Sequence, residues 1–134
     1  DKTLILPDRR GNNRIDSLRN IVENPRVALI FLVPGLGETL RVNGRAEISA
    51  DPELLARYEM DGKLPRTVLV IHVESVFFQC SRALIRSQLW NPERHVPRAS
   101  LPSTGAILEA VTQTAIDGAA YDRELPERLR TTLY

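Results

Sequence analysis

Apolar and polar positions follow two rhythms along this chain, and each switch between them marks an element. Leu4, Ile5 and Leu6 end a strand that Pro7 stops, and Pro7 to Arg14 (PDRRGNNR) is a polar loop of turn-tolerant residues. Ile15, Leu18, Ile21 and Val22 then recur at helical spacing. They predict a short helix with Asn13 or Arg14 near its start and Asn24-Pro25 at its end. Arg26 to Val33 (RVALIFLV) is a continuous apolar run, the pattern of a strand buried on both faces. Pro34 to Gly37 (PGLG) turns it into a second long strand, Glu38 to Ser49. There Leu40, Val42, Gly44, Ala46 and Ile48 form the inner face, and Thr39, Arg41, Asn43, Arg45 and Glu47 the other. Asp51-Pro52 opens a helix, with Asp51 as N-cap and Leu54, Leu55 and Tyr58 facing inward. Thr67 to Phe78 is a third long strand, apolar on both faces through Val73.

Beyond it the pattern weakens. Ser81 to Ser87 reads as one or two helical turns, and Asn91 to Ser103 holds three of the nine prolines, as a linker or wrapping arm does. Ala106, Ile107, Ala110, Val111 and Ile116 repeat at helical spacing, and Tyr121 to Leu133 reads as a charged helix interrupted by Pro126. Residues 1–92 therefore form one expected domain, and 93–134 an arm with C-terminal helices packed on it. Long antiparallel strands without a helix after each one argue for an α+β class, mainly β, built on a small barrel.

Composition narrows the function. The 134 residues carry 18 basic and 17 acidic side chains, a net charge of +1, without the excess field that binding a nucleic-acid backbone needs. Arg outnumbers Lys 16 to 2, which favours bidentate anion contacts but equally fits a GC-rich genome. A single cysteine, Cys80, excludes an internal disulfide and a cysteine-based zinc site and fits a reducing, cytoplasmic setting. The longest apolar stretch is far too short to cross a bilayer, and no signal peptide is read before it. The first residue is Asp1 rather than Met, so an upstream segment is expected.

No GxSxG, P-loop, GxGxxG or HExxH motif occurs. His72 and His95 lack partners at metal-ligand spacing, and no metal site is expected. One loop stands out. Asn12, Asn13, Arg14 and Ser17 place amide, guanidinium and hydroxyl groups beside a helix N-terminus, an arrangement suited to a phosphate. Simple capping, with Asn13 closing the helix and the arginines solvated, explains the same residues. A second cluster, Phe77 and Phe78 followed by Arg82, Arg86, Ser87 and Trp90, suits either a flat ring or the closed end of a barrel.

The run from PDRRGNNR through NPRV to NGRAEIS, with VLVIHVESVFFQCSRALIRSQLWNP after it, resembles the pyridoxamine 5'-phosphate oxidase-like FMN-binding split-barrel proteins. The likeness is closest to their branch of FMN-dependent oxidoreductases. It implies a split β-barrel with short helices and a helical tail, whose N-terminal strand pair would lie upstream of this sequence. It also implies a homodimer with FMN as cofactor. Pro7 and Asp8 match where the backbone approaches the isoalloxazine, and Asn13, Arg14 and Ser17, with Asn12 beside them, match the phosphate loop. Thr39, Leu40 and Arg41 match a strand segment that reaches a flavin, commonly across the dimer interface. Arg86, Ser87 and Trp90 match a segment closing over it. The oxidase's phosphate-binding Arg-Lys pair and its C-terminal substrate pattern are not reproduced. The expectation is thus a small-molecule oxidoreductase of unassigned substrate, acting without nucleic acid or membrane. A non-catalytic flavin- or haem-binding module and a deazaflavin F420-dependent reductase are the alternatives.

Overall fold

The computed structural model describes residues Lys2 to Thr132. Their order is β1 (Thr3–Pro7), α1 (Asp16–Glu23), β2 (Arg26–Leu32), β3 (Thr39–Ser49), α2 (Pro52–Ala56), β4 (Val68–Gln79) and α3 (Arg82–Ser87). Two single 3-10 turns (Pro92–Arg94 and Arg98–Ser100), α4 (Thr104–Val111) and α5 (Gly118–Thr132) follow. The chain divides after Asn91 into two compact units.

The first unit is a four-stranded antiparallel sheet in the order β1-β4-β3-β2. Residues directly opposite one another share a face. Leu4, Ile71 and Ala46 are aligned across three strands, as are Leu6, Leu69 and Ile48, then Leu29, Val42 and Val76. Val42, Ala46 and Ile71 on this face are buried. A β-bulge explains how β4 keeps one apolar face despite its mixed sequence. Asn43 pairs with Ser75 but Gly44 pairs with Val73, leaving Glu74 as the extra residue. The apolar phase of β4 therefore moves from Leu69, Ile71 and Val73 to Val76 and Phe78 without changing face. Gly44 is required opposite the bulge, because a Cβ there would run into the His72 carbonyl.

Three local expectations need correction in this unit. β2 is not buried on both faces: Val27 and Leu29 are half-buried, but Ile30, Phe31 and Leu32 are 49%, 41% and 45% exposed. It ends the sheet order, so its outer edge is unpaired among the described strands. Thr39, assigned to the outward face, is nevertheless buried. Finally, α1 begins at Asp16 with Ile15 as N-cap and no side-chain cap; Asn13 stands two residues earlier with φ 59°. Capping by Asn13 therefore does not occur. By contrast, α2 starts as read, with Asp51 Oδ1 accepting the Leu54 N–H at 2.9 Å and Pro52 following.

In the second unit α4 stops at Val111 rather than continuing to Ile116, because Gln113 and Thr114 adopt left-handed backbone. α5 starts at Gly118, ahead of Tyr121, because Asp117 caps it: its Oδ1 accepts the Ala120 N–H at 2.9 Å. Pro126 lies inside α5 without ending it; it removes one N–H, while the residues around it remain helical. The expected end of that helix at Leu133 lies outside the described residues. α4 and α5 meet through glycine, since a Cβ on Gly105 would strike the Gly118 carbonyl. Asp122 Oδ1 accepts the Gly105 N–H at 2.8 Å, in the first turn of α4.

The Ser103 hydroxyl, then the Gly105 N–H, hold the Asp122 carboxyl below its ordinary pKa, with Arg98 adding a smaller pull. A depressed carboxylate contributes stability above its unfolded pKa and loses it as pH falls through the folded value. The α4–α5 unit is therefore expected to melt progressively earlier as pH drops from about 5 towards about 2. Asp122→Asn should flatten that part of the acid dependence in circular-dichroism melts. An acid limb of equal depth in the variant would show that Asp122 is not its source.

Candidate functional site

An open cleft of about 1010 Å³ lies where the end of β1 meets the start of β4. One wall is the loop between β1 and α1, from Asp8 to Ile15, with Ser17 and Leu18 of α1; the other runs from Lys63 to Thr67. The Asp8 N–H donates to the Thr67 carbonyl at 2.9 Å and ties the two walls together at their base. That bond uses the only backbone donor of the Pro7-Asp8 pair, since proline has no N–H.

The structure brings Pro7, Asp8, Asn12, Asn13, Arg14 and Ser17 into this one cleft. Asn12 Oδ1 accepts the Arg14 N–H at 3.0 Å, which shapes the loop, and Asn13 takes the left-handed conformation that Asn tolerates. No side chain caps α1, so its first N–H groups donate to no capping side chain. Arg14 is already engaged: its Nη2 and Nε reach Asp16 Oδ2 at 2.8 and 3.0 Å. Both partners are well exposed, so the pair contributes little stability and exchanges readily for another anion.

Four cleft-lining cations escaped the sequence reading as site residues: Arg9, Arg10, Lys63 and Arg66. Arg9 and Arg10 read as solvated loop arginines and Asp61 to Pro65 as a loop, with no role read for Arg66. Only the pairing of β1 with β4, which no local pattern encodes, sets the two loops face to face. Thr67 Oγ1, also in the cleft wall, is buried with no hydrogen-bond partner among the described residues.

The remaining candidates form a second group at the other end of the sheet. Thr39 opens β3 opposite Gln79, and Leu40 lies between Phe31 and Phe78 on one face. Arg41 donates from Nε to Gln79 Oε1 at 3.0 Å. The Trp90 indole donates to the Leu36 carbonyl at 2.7 Å, pinning the segment after α3 onto the PGLG turn. Gly37 allows this, because a Cβ there would stand 2.7 Å from Ser81 Cβ. The Ser87 hydroxyl bonds back to Leu84 within α3, and Arg86 is exposed in the last turn. Thr39 Oγ1 is the second buried hydroxyl without a partner among the described residues. Phe78 is 79% exposed and Phe77 48%.

These groups do not meet within one chain. Val68 marks the cleft end of β4 and Gln79 the hairpin end. At the ordinary strand rise they are roughly 35 Å apart. Among the described residues no group of His, Cys, Asp and Glu is placed to hold a metal ion, and no helix is long and apolar enough to cross a membrane.

The family model for pyridoxamine 5'-phosphate oxidase matches residues 1–80, and the chain belongs to that family. Its α+β architecture is that family's split barrel, of which the first unit supplies a four-stranded antiparallel half. Among solved structures it is similar to HupZ of Group A Streptococcus, in a form carrying an epitope tag and a hexahistidine tag. Identity is 28%, over 60% of this chain and 66% of that one, with a TM-score of 0.48. A histidine-to-alanine variant of HupZ gives 26% identity over 59% and 68%, with the same TM-score. The chain thus spans just under two thirds of the first of these structures. No curated protein matches it.

Because Asp16 competes for Arg14, Asp16→Asn should raise the cleft's affinity for inorganic phosphate about threefold and leave the melting temperature within about 3 °C. Titration calorimetry with thermal melts checks both; unchanged or weaker phosphate binding would show that the ion pair does not hold Arg14 back.

Proposed function

We propose that this protein is an FMN-dependent oxidoreductase acting on a small molecule as a homodimer. The observation that carries the reading is the cation-lined cleft, which sets Asn12, Asn13, Arg14 and Ser17 against an uncapped helix N-terminus. That donor set fits a phosphate monoester: neutral amides and hydroxyls supply directed hydrogen bonds, and guanidinium groups supply charge. Flavin binding is common in the family to which the chain belongs. Bound FMN supplies reversible hydride or electron transfer, and the protein supplies position and electrostatics.

The isoalloxazine is assigned to the second group, contributed by the other copy of the chain. Arg41 is oriented by Gln79 and can donate to the polar edge of the ring, with Thr39 two residues before it on β3. Donors aimed there stabilise the negative charge that grows on reduction. Phe78 offers a flat apolar surface, and Arg86, Ser87 and Trp90 border the ring. The dimer is supported by the separation of the two groups and by the exposed apolar residues Ile30, Phe31, Leu32, Phe77 and Phe78 around the second. A two-fold axis would pair them into two equal sites. No side chain is assigned as acid or base.

The test is complementation. Arg14→Ala and Arg41→Ala, made in separate chains, should each lose FMN while staying folded. Co-expressed, they should recover flavin in about a quarter of sites, because one site of each mixed dimer is intact. Absorption spectra report flavin content, and bleaching by a nicotinamide donor followed by acceptor reduction reports turnover. Full FMN binding by either variant alone, or a colourless wild type that ignores added FMN, rejects the proposal. Bound flavin that never turns over reduces the protein to a binding module, and extracted deazaflavin replaces FMN with F420.

A further inference from the structure

We infer that Lys63 and Arg66, in the loop between α2 and β4, are the principal cations that hold a phosphate monoester in the cleft, and that they set its preference for a phosphorylated ligand. This rests on the FMN reading for the identity of the monoester, but not for the site itself.

The two walls of the cleft differ in how firmly their cations are placed. Lys63 is pinned by a two-bond bridge: the Met60 N–H donates to the Lys63 carbonyl and the Lys63 N–H to the Met60 carbonyl, both at 3.0 Å. Asp61 and Gly62 between them take left-handed backbone, φ 51° and 73°, as a tight two-residue turn requires. Arg66 follows buried Pro65 and precedes Thr67 and Val68, and Val68 is fully buried in β4. The main chain on both sides of Arg66 is therefore fixed. Both side chains are exposed into the cleft, and neither has an ion pair or hydrogen bond among the described residues.

On the facing wall, Arg14 gives its Nε and Nη2 to Asp16, and Arg9 and Arg10 sit on an irregular loop. A cation carried on fixed main chain and shared with no carboxylate gives more net attraction than one that must leave a carboxylate or whose loop must be ordered on binding. Lys63 and Arg66 thus stand on fixed main chain as a bank of two unshared cations, which the Asn/Arg loop faces across the cleft.

The experiment compares wild type, Lys63→Gln/Arg66→Gln, the charge-conserving Lys63→Arg/Arg66→Lys, and Arg14→Gln. Probes are FMN, riboflavin and inorganic phosphate, read by calorimetry and flavin fluorescence. Removing both charges should weaken FMN and phosphate binding about a hundredfold and leave riboflavin affinity within about threefold. The charge-conserving variant should stay within about tenfold of wild type, and Arg14→Gln should cost less than the double change. If the double variant melts early, Lys63→Gln and Arg66→Gln singly carry the same comparison. Unchanged FMN and phosphate affinity without these charges, or a larger loss from Arg14→Gln, overturns the inference. Phosphate bound through Lys63 and Arg66 by a protein that ignores FMN upholds this bank and rejects the flavin reading. A wild type that binds neither overturns both.

Discussion

The ladder between β3 and β4 is the constraint on which the first unit depends. It pairs eleven residues of β3, from Thr39↔Gln79 to Ser49↔Val68, and both other strands hang from it, β1 on β4 and β2 on β3. Strand register normally allows no error, since a slip of one residue turns a whole strand over. Here the slip is built in, at Glu74, and it rescues the pattern. Without the extra residue, either Leu69, Ile71 and Val73 or Val76 and Phe78 would face the wrong way. Gly44 makes the device possible because only a missing Cβ leaves room for the His72 carbonyl. One glycine and one glutamate thus keep a single apolar face along the whole length of β4.

The same ladder decides where the candidate chemistry can occur. It carries the β1–α1 loop and the α2–β4 loop at one end, and the PGLG hairpin with α3 at the other. Each end has a buried threonine hydroxyl with no partner among the described residues, Thr67 at one and Thr39 at the other. Buried polar groups are nearly always satisfied, and these two hydroxyls are exceptions. A long rigid strand pair cannot fold those ends together. The proposed assembly of two chains answers that geometry by setting the cleft end of one ladder against the hairpin end of the next.

Much of this was legible in the sequence because local patterns encode it. The strands follow from alternation, the hairpin from PGLG, and α2 from Asp51-Pro52. What failed was governed by distant neighbours. The run from Arg26 to Val33 has the composition of an interior strand, yet β2 ends the described sheet and leaves Ile30, Phe31 and Leu32 exposed. Composition reports what a residue prefers, not what covers it. Asn13 has cap chemistry but the wrong backbone, and α5 begins straight after Asp117, which caps it, ahead of the start read at Tyr121. Within the candidate site, the Asn/Arg loop was visible because it lies next to a helix in the sequence. Lys63 and Arg66 were not, because their relation to that loop exists only through the pairing of β1 with β4.

Charge shows the same limit from another direction. A net charge of +1 excludes a protein-wide field. It says nothing about distribution. Five of the 18 cationic side chains, Arg9, Arg10, Arg14, Lys63 and Arg66, line one cleft, where Asp8 and the Asp16 bound to Arg14 are the nearby acids. At physiological ionic strength, charges beyond roughly 8 Å are screened, so an anion in the cleft responds to these groups and hardly to the rest of the surface. A near-neutral protein can therefore hold a compact dianion firmly. Under the proposed function, that local field favours small, concentrated charge of the kind a phosphate-bearing cofactor presents.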